Sequence, residues 1–271
     1  IFDSFINSSS KNIERIKRFI KGTNIENNLM IFKVDIRDYK SMENIFYKLN
    51  KLNLKIDAVI HFAGLKDTNK SINNPLDYWD NNVNGSINLF KLMEKFNCRN
   101  IVFSSSAAIY DLSNGGNNLK ENSYKKPITP YGKTKLTVET ILQDIQRSQN
   151  IKWSIANLRY FNPIGAHHKG IIGEDPLNFS SNIFPSIIEV ASGERKELKI
   201  YGKDWETKDG TGVRDYIHIM DLAEAHIAAL EKIKKNNIML TLNIGTGIGT
   251  SVLDLINTFE RVNQIKIKKI F

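Results

Sequence analysis

The sequence predicts an α/β fold, a doubly wound parallel sheet followed by a smaller C-terminal lobe. Three observations carry that expectation. Short apolar, β-branched or aromatic runs alternate with stretches of helical period, acidic residues close two of the early runs, and the rhythm breaks after Arg159. Ile1-Phe2-Asp3 reads as the end of a strand. Leu29 to Val34, Ile56 to Phe62, Asn100 to Ser104 and Trp153 to Leu158 read as further strands, with helices over residues 39–52, 76–96 and 131–149 between them. Past Arg159, Gly, Pro, His and Asn cluster through Asp175-Pro176. A helix is then expected near 183–192 and a strand at Lys199-Ile200-Tyr201. Leu240 to Ile244 is a last apolar strand, expected to return to the sheet, and Gly245-Thr246-Gly247 behind it reads as a structural turn. The chain thus divides into a sheet domain over residues 1–160 and a second lobe over residues 161–271.

The chemistry-bearing pattern is Ser104-Ser105-Ser106 at the end of one apolar run and Tyr131-Gly132-Lys133-Thr134-Lys135, which begins 25 residues beyond Ser106. Tyr131 and Lys135 are four apart, so on a helix they share a face and the ammonium can sit near the phenol. Thr129-Pro130 has the form of an N-cap followed by Pro at the first helical position, which puts Tyr131 in the first turn, at the positive helix end. A Ser, a Tyr and a Lys in one cleft can move a proton on and off a hydroxyl while a neighbouring cofactor takes hydride. Tyrosine ionises near pH 10, so a base working at pH 7 needs a shift of roughly three units, about 4 kcal/mol. A helix terminus supplies about 1 kcal/mol of this and a partly exposed Lys a similar amount. A further positive charge is implied, and an oxidised nicotinamide ring has it. The bland alternative is a half-buried Tyr131 and a solvated Lys135.

Composition bounds the answer. The 271 residues are 41% hydrophobic, ample for a packed core. No apolar run approaches the ~20 residues of a membrane span, and the first residues lack the layout of a signal peptide. The single cysteine, Cys98, excludes an internal disulfide framework and fits a reducing compartment, hence a cytoplasmic location. The net charge of +9 could suit nucleic acid. Lys is spread along the whole chain beside equally abundant Asn and Ile, which points to codon bias, so neither a nucleic acid nor a membrane is expected as a partner.

In an open α/β sheet ligands bind outside the carboxyl ends of the strands, and an acidic residue closing the second strand holds the adenosine ribose diol. Asp3 is placed for that role if the chain begins on that second strand; the alternative is a solvated terminal carboxylate. Asp35 closes the next strand and could face the adenine, and His61-Phe62-Ala63-Gly64 gives a small-residue turn where backbone can approach a cofactor. The 271 residues hold no G-x-x-G-x-x-G turn, which belongs about 20 residues before such an Asp.

Taken in order, these residues resemble the extended short-chain dehydrogenase/reductases, and within them the UDP-galactose 4-epimerases, over essentially the whole chain. The carriers are Asp3 to Ser8, Val34-Asp35-Ile36-Arg37, His61 to Lys66, Asp80 to Gly85, Ser104 to Tyr110, Tyr131 to Lys135, Arg159 to His167, Gly173-Glu174-Asp175-Pro176 and Asp209 to His218. The resemblance implies a Rossmann-type sheet with a smaller C-terminal substrate-binding lobe, bound NAD, no metal, and a homodimer through the helices at 76–96 and 131–149. It implies interconversion of UDP-galactose and UDP-glucose by oxidation and re-reduction at the sugar C4. By resemblance Tyr131 is the base, Lys135 its partner and a ligand of the nicotinamide ribose, and Ser106 the hydroxyl on the sugar O4. Asp3, Ser4, Phe5, Ile6, Asn7, Ser8, Asp35, Ile36, Phe62, Ala63, Gly64, Leu65, Lys66, Asn81 and Phe161 become cofactor contacts. Asn162, Asn182, Ile183, Tyr201 and Arg214 become substrate contacts, Arg214 toward the diphosphate by its charge and fork geometry.

The chain departs from the family pattern in four places. It is expected to lack the first strand with its glycine turn and the later substrate-binding segment, so that the natural protein is longer at both ends. Ala108 stands where a Thr is usual, and Asp111 follows Tyr110 where a Gly is usual. A different nucleotide-sugar 4-epimerase, a dehydratase or a decarboxylase on the same fold remains an alternative, although Ala107-Ala108 offers no acid for expelling water. A non-catalytic NAD-binding protein or an inactive fragment is the alternative of another class.

Overall fold

The structure, a computed structural model, describes residues 1–111, 118–148, 152–174, 182–236 and 238–271; Asp175 and Pro176 of the expected lobe junction lie outside them. Along the chain run β1 (Phe2–Asp3), α1 (Ser10–Ile20), β2 (Phe32–Lys33), α2 (Tyr39–Lys51), β3 (Val59–His61), α3 (Thr68–Asn73), α4 (Pro75–Tyr78), α5 (Gly85–Lys95), β4 (Asn100–Ser104) and α6 (Pro130–Arg147). There follow β5 (Ser154–Tyr160), β6 (Asn162–Ile164), α7 (Ile183–Ala191), β7 (Leu198–Lys199), β8 (Val213–His218), α8 (Ile219–Asn236), β9 (Met239–Ile244), β10 (Gly249–Ser251), α9 (Val252–Asn263) and β11 (Lys269–Ile270). They form two compact units. The first holds Ile1–Ile6, Lys17–Tyr160 and Ala223–Ile244; the second holds Asn7–Ile16, Phe161–Leu222 and Gly245–Phe271. Residues 223–244 group with the first unit, where β9, which contains the expected strand Leu240 to Ile244, is hydrogen-bonded along β5, and residues 7–16 group with the second.

The first unit is a parallel α/β body. Its strands run β3-β4-β5-β9, all parallel, with β1 and β2 as a separate parallel pair. Strands β4 and β5 are buried almost throughout, as central strands covered on both faces must be. Successive residues of β4 feed opposite cores. Ile101 and Phe103 pack with Met42, Phe46, Leu92 and Leu142 under α2, α5 and α6, whereas Val102 packs with Ala229 and Ile233 of α8. Asp38 caps α2, its side chain accepting from the Ser41 N–H at 3.0 Å.

Four sequence expectations need correction. Of Leu29 to Val34 only Phe32 and Lys33 are a strand, of Ile56 to Phe62 only Val59–His61, and of Lys199-Ile200-Tyr201 only Lys199, joined by Leu198. The helix expected over 76–96 is interrupted by a π-helical turn at Trp79–Asn84. The interruption turns Asn82 inward, where its amide is fully engaged: Oδ1 accepts from the Leu65 N–H at 2.7 Å, and Nδ2 donates to Leu65 O at 3.0 Å and Thr134 Oγ1 at 3.1 Å.

The second unit pairs β6 in parallel with β8, β8 antiparallel with β10, and β7 in parallel with β11. Its core gathers Ile187 of α7, Leu198, Leu255 and Ile256 of α9, and Ile267. Asp215 holds the turn after β9, accepting from Thr246 N and Oγ1 at 2.9 and 2.7 Å and from Gly247 N at 2.8 Å. A Cβ on Gly245 would meet an Asp215 oxygen at 2.5 Å, so this glycine-rich stretch is a structural turn. Among the described residues no helix is long and apolar enough to cross a membrane.

Candidate active site

Strand β4 ends on the three serines, and each hydroxyl has its own partner. Ser104 Oγ lies 2.8 Å from His226 Nε2 on α8, Ser105 Oγ donates to Glu139 Oε1 at 2.5 Å, and the Ser106 hydroxyl stands near enough to the Tyr131 phenol to favour its ionised form. Ser106 also caps a 3-10 turn over Ala107–Ile109, accepting from the Ala108 N–H at 3.1 Å. The backbone at Ser106 is extended.

Helix α6 begins as its sequence requires. Thr129 is the N-cap, accepting from the Gly132 N–H at 3.2 Å, and Pro130 opens the first turn. Tyr131 follows at once, and Gly132 lets the helix approach the Ser106 turn closely, since a Cβ there would lie 2.5 Å from Ala108 O. Tyr131 is 7% exposed and Lys135 5%, which excludes a half-buried Tyr beside a solvated Lys. Lys135 is therefore not the partly exposed cation that the sequence suggested, and water screens its charge less. Its Nζ donates to Ser104 O at 2.8 Å and sits 5.9 Å from the centre of the Tyr131 ring.

Burial works against both ionised forms here. It pushes the Tyr131 phenol up, with the Ser106 hydrogen bond pulling the other way. It pushes the Lys135 ammonium down to about 8, opposed by the Glu139 carboxylate one turn along α6. His61, at the end of β3, is driven down to about 3 by burial and by the Lys135 charge, so it is neutral and lies 2.8 Å from Ser86 Oγ. The site thus concentrates one cation in a dry place beside a phenol. A phenolate is what that cation stabilises.

The Lys135 ammonium has three donors, and Ser104 O takes one. An oxygen-rich ligand such as a ribose diol suits the others. Gly64 leaves room for such an approach, because a Cβ at that position would sit 3.1 Å from Asn82 Oδ1 and 3.8 Å from Lys135 Nζ. Asp3 closes β1 with Oδ1 accepting from the Phe5 N–H at 2.7 Å. The residues present therefore fit the ribose portions of a dinucleotide.

The remaining sequence-predicted residues are distributed over the two units. In the first, Ser4, Phe5 and Ile6 follow Asp3, and both Asp35 oxygens are held by Arg37, at 2.7 Å from Nη2 and 3.0 Å from Nε. Ile36 lies under Gly85 of α5, where a Cβ would meet it at 2.5 Å. Phe62 is exposed and packs its ring 4.7 Å from His226, Ala63 and Lys66 are exposed, and Asn81 is half-buried beside the buried Asn82. In the second unit are Asn7, Ser8, Phe161, Asn162, Asn182, Ile183, Tyr201 and Arg214. Asn182 is the N-cap of α7, Ile183 joins the core there, Tyr201 is exposed, and Arg214 is exposed with Nη1 on Val213 O at 2.7 Å.

Sequence reasoning missed a buried ion pair behind the serines. Arg159 Nη2 lies 2.6 Å from Glu139 Oε2, both side chains almost wholly enclosed, and Arg159 Nη1 donates to Tyr110 Oη at 2.9 Å. Tyr110 Oη in turn donates to Asn243 Oδ1 at 2.6 Å. The signal was present: Glu139 falls four residues after Lys135 on the buried stripe of α6, and Arg159 is the one charged residue of β5, a strand buried almost throughout.

The chain is similar to known proteins over nearly its whole length. Residues 6–245 match the model of the NAD dependent epimerase/dehydratase family. The chain is 45% identical to UDP-glucose 4-epimerase 2 of Arabidopsis thaliana, over 98% of this chain and 74% of that protein. It is equally similar, at 45%, to a bifunctional UDP-glucose 4-epimerase and UDP-xylose 4-epimerase 1 of Pisum sativum, over 98% of this chain and 75% of that one. Among solved structures, the UDP-glucose-4-epimerase of Stenotrophomonas maltophila with bound NAD and formylated UDP-arabinopyranose superposes with a TM-score of 0.90 at 41% identity, covering 100% of this chain and 77% of that one. With the family model matched over most of the chain and relatives 45% identical over 98% of it, the chain belongs to the NAD dependent epimerase/dehydratase family.

Proposed function

We propose that this chain interconverts UDP-galactose and UDP-glucose by oxidation and re-reduction at the sugar C4. The observation that carries the reading is the convergence of Ser106, Tyr131 and Lys135, all nearly enclosed, in a chain whose relatives are UDP-glucose 4-epimerases. NAD, when bound, supplies the hydride acceptor and donor. Asp3 is assigned to the adenosine ribose, Lys135 to the nicotinamide ribose, and Ser4 to Ser8, Asp35, Ile36, Phe62 to Lys66, Asn81 and Phe161 to the rest of it.

Tyr131 Oη takes the proton of the sugar 4-OH and later returns it to O4. Ser106 Oγ carries the second hydrogen bond at O4 and keeps the oxygen in line. Lys135 favours the phenolate through its charge, and the burial of all three groups keeps water from the 4-keto sugar formed between the two transfers. Asn162, Asn182, Ile183, Tyr201 and Arg214 are assigned to the UDP-sugar, with Arg214 on the diphosphate. A homodimer in the cytoplasm completes the reading. The Ala107-Ala108 turn presents no carboxylic acid, which disfavours a dehydratase. The same reaction on a UDP-pentose is the second reading, favoured by the bifunctional Pisum sativum relative. Incubating the native protein with UDP-galactose and resolving UDP-glucose by chromatography tests the proposal; a protein that leaves UDP-galactose unchanged would refute it.

A further inference from the structure

We infer that Glu139 is a positioning residue for this site, acting on two of its members at once. It fixes the serine turn through the Ser105 hydroxyl, and it holds Lys135 in its charged form from one helical turn away. This inference rests on the reading of Ser106, Tyr131 and Lys135 as the reacting set. Glu139 is fully buried, and each of its carboxylate oxygens has an assigned donor. Oε1 accepts from Ser105 Oγ at 2.5 Å and from Arg159 Nε at 2.9 Å, while Oε2 accepts from Arg159 Nη2 at 2.6 Å. Arg159 is itself held by Tyr110 Oη and by Glu121 O at 2.9 and 2.8 Å, so the carboxylate cannot swing. A clamped carboxylate hydrogen-bonded to Ser105 fixes the peptide that carries Ser106. Ser105 has no other task in the proposed chemistry.

The electrostatic half follows from what surrounds Lys135. His61 comes from β3 and is neutral; the Phe103 ring and Ser104 O come from β4; Tyr131 and Glu139 share α6; and the π-helical turn presents the uncharged Asn82. Glu139 is the carboxylate of this group. It stands four residues from Lys135 on the same buried stripe, where a charge is weakly screened. Its effect on the ammonium opposes that of burial. Without Glu139, Lys135 would lose its proton nearer neutrality.

The test uses the native, NAD-loaded protein and two kinds of variant. Glu139→Gln is expected to move the alkaline limb of the kcat profile down by about one pH unit with KM changed less than twofold. The titration of the Lys135 side chain, followed by NMR, should move with it, and Glu139→Asp, which keeps the charge, should restore both. Ser105→Ala is expected to lower kcat about tenfold while leaving the Lys135 titration in place. If Glu139→Gln does not fold, the kcat of Ser105→Ala decides the matter. An alkaline limb and a Lys135 titration both unmoved in a folded Glu139→Gln, or a Ser105→Ala with full kcat, would overturn the inference. Loss of epimerase activity by the wild-type protein itself would instead count against the reading of the site.

Discussion

Replacing Lys135 by Met separates what the lysine does for chemistry from what it costs the fold. Nζ lies 5.9 Å from the Tyr131 ring centre, and at an effective dielectric constant of about 20 a charge at that distance favours a phenolate by roughly 3 kcal/mol. Losing it should lower turnover on the order of 100-fold. The stability effect runs the other way. Burial lowers the Lys135 ammonium from 10.5 to about 8, which corresponds to a cost of about 3 kcal/mol that is fully present below pH 8, where folded and unfolded chains both carry the proton. Between pH 8 and 10.5 the unfolded chain holds more protons than the folded one, so the cost fades as pH rises. Met removes the cost but leaves Ser104 O, now 2.8 Å from an ammonium, without that donor, a loss of about 1–3 kcal/mol. Lys135→Met is therefore expected to be at least as stable as the wild type at pH 7, to lose that advantage toward pH 10.5, and to be nearly inactive. Urea midpoints at pH 7 and 10 with turnover by chromatography measure all three. Turnover within twofold of wild type, or a urea midpoint below that of wild type at pH 7, would refute the reasoning.

Tyr131→Phe keeps the buried ring and removes the phenolic oxygen, so turnover should fall roughly 10²–10⁴-fold while UDP-sugar binding, measured by calorimetry, survives. Full turnover in that variant removes Tyr131 from the mechanism. Asp3→Ala should loosen NAD and narrow the preference for NAD over NADP, because a carboxylate at the ribose repels a 2′-phosphate; NADP found in the wild-type protein as purified contradicts this assignment.

What could be read from the sequence was what local chemistry dictates. Asn100–Ser104 emerges as a strand with the bounds that its apolar content sets, and Thr129-Pro130 starts α6 where an N-cap and a Pro at the first position require. The alternation of β and α elements gave the layered architecture because burial on both faces makes parallel strands uniformly apolar. What escaped was decided by buried polar groups, to which hydrophobic period is blind. Asn82 turns a continuous helix into a π-helical interruption by bonding Leu65 and Thr134, and Glu139 with Arg159 occupies a position that composition marks as solvent-facing. Lys135 was misjudged in the same way, since nothing in a Lys-rich helix distinguishes a cation enclosed by Phe103, Ser104 and Tyr131 from one in water.

The account turns on hydrogen leaving and returning to one carbon within an enclosed site. UDP-galactose deuterated at C4, incubated with the native protein in ordinary water, measures this directly. The expected product is UDP-glucose that keeps its deuterium at C4 and, in the converse experiment in D₂O, takes up none at C5 or C6. Loss of the C4 label to solvent, or solvent deuterium at C5 or C6 as a dehydratase would place it, would contradict the account.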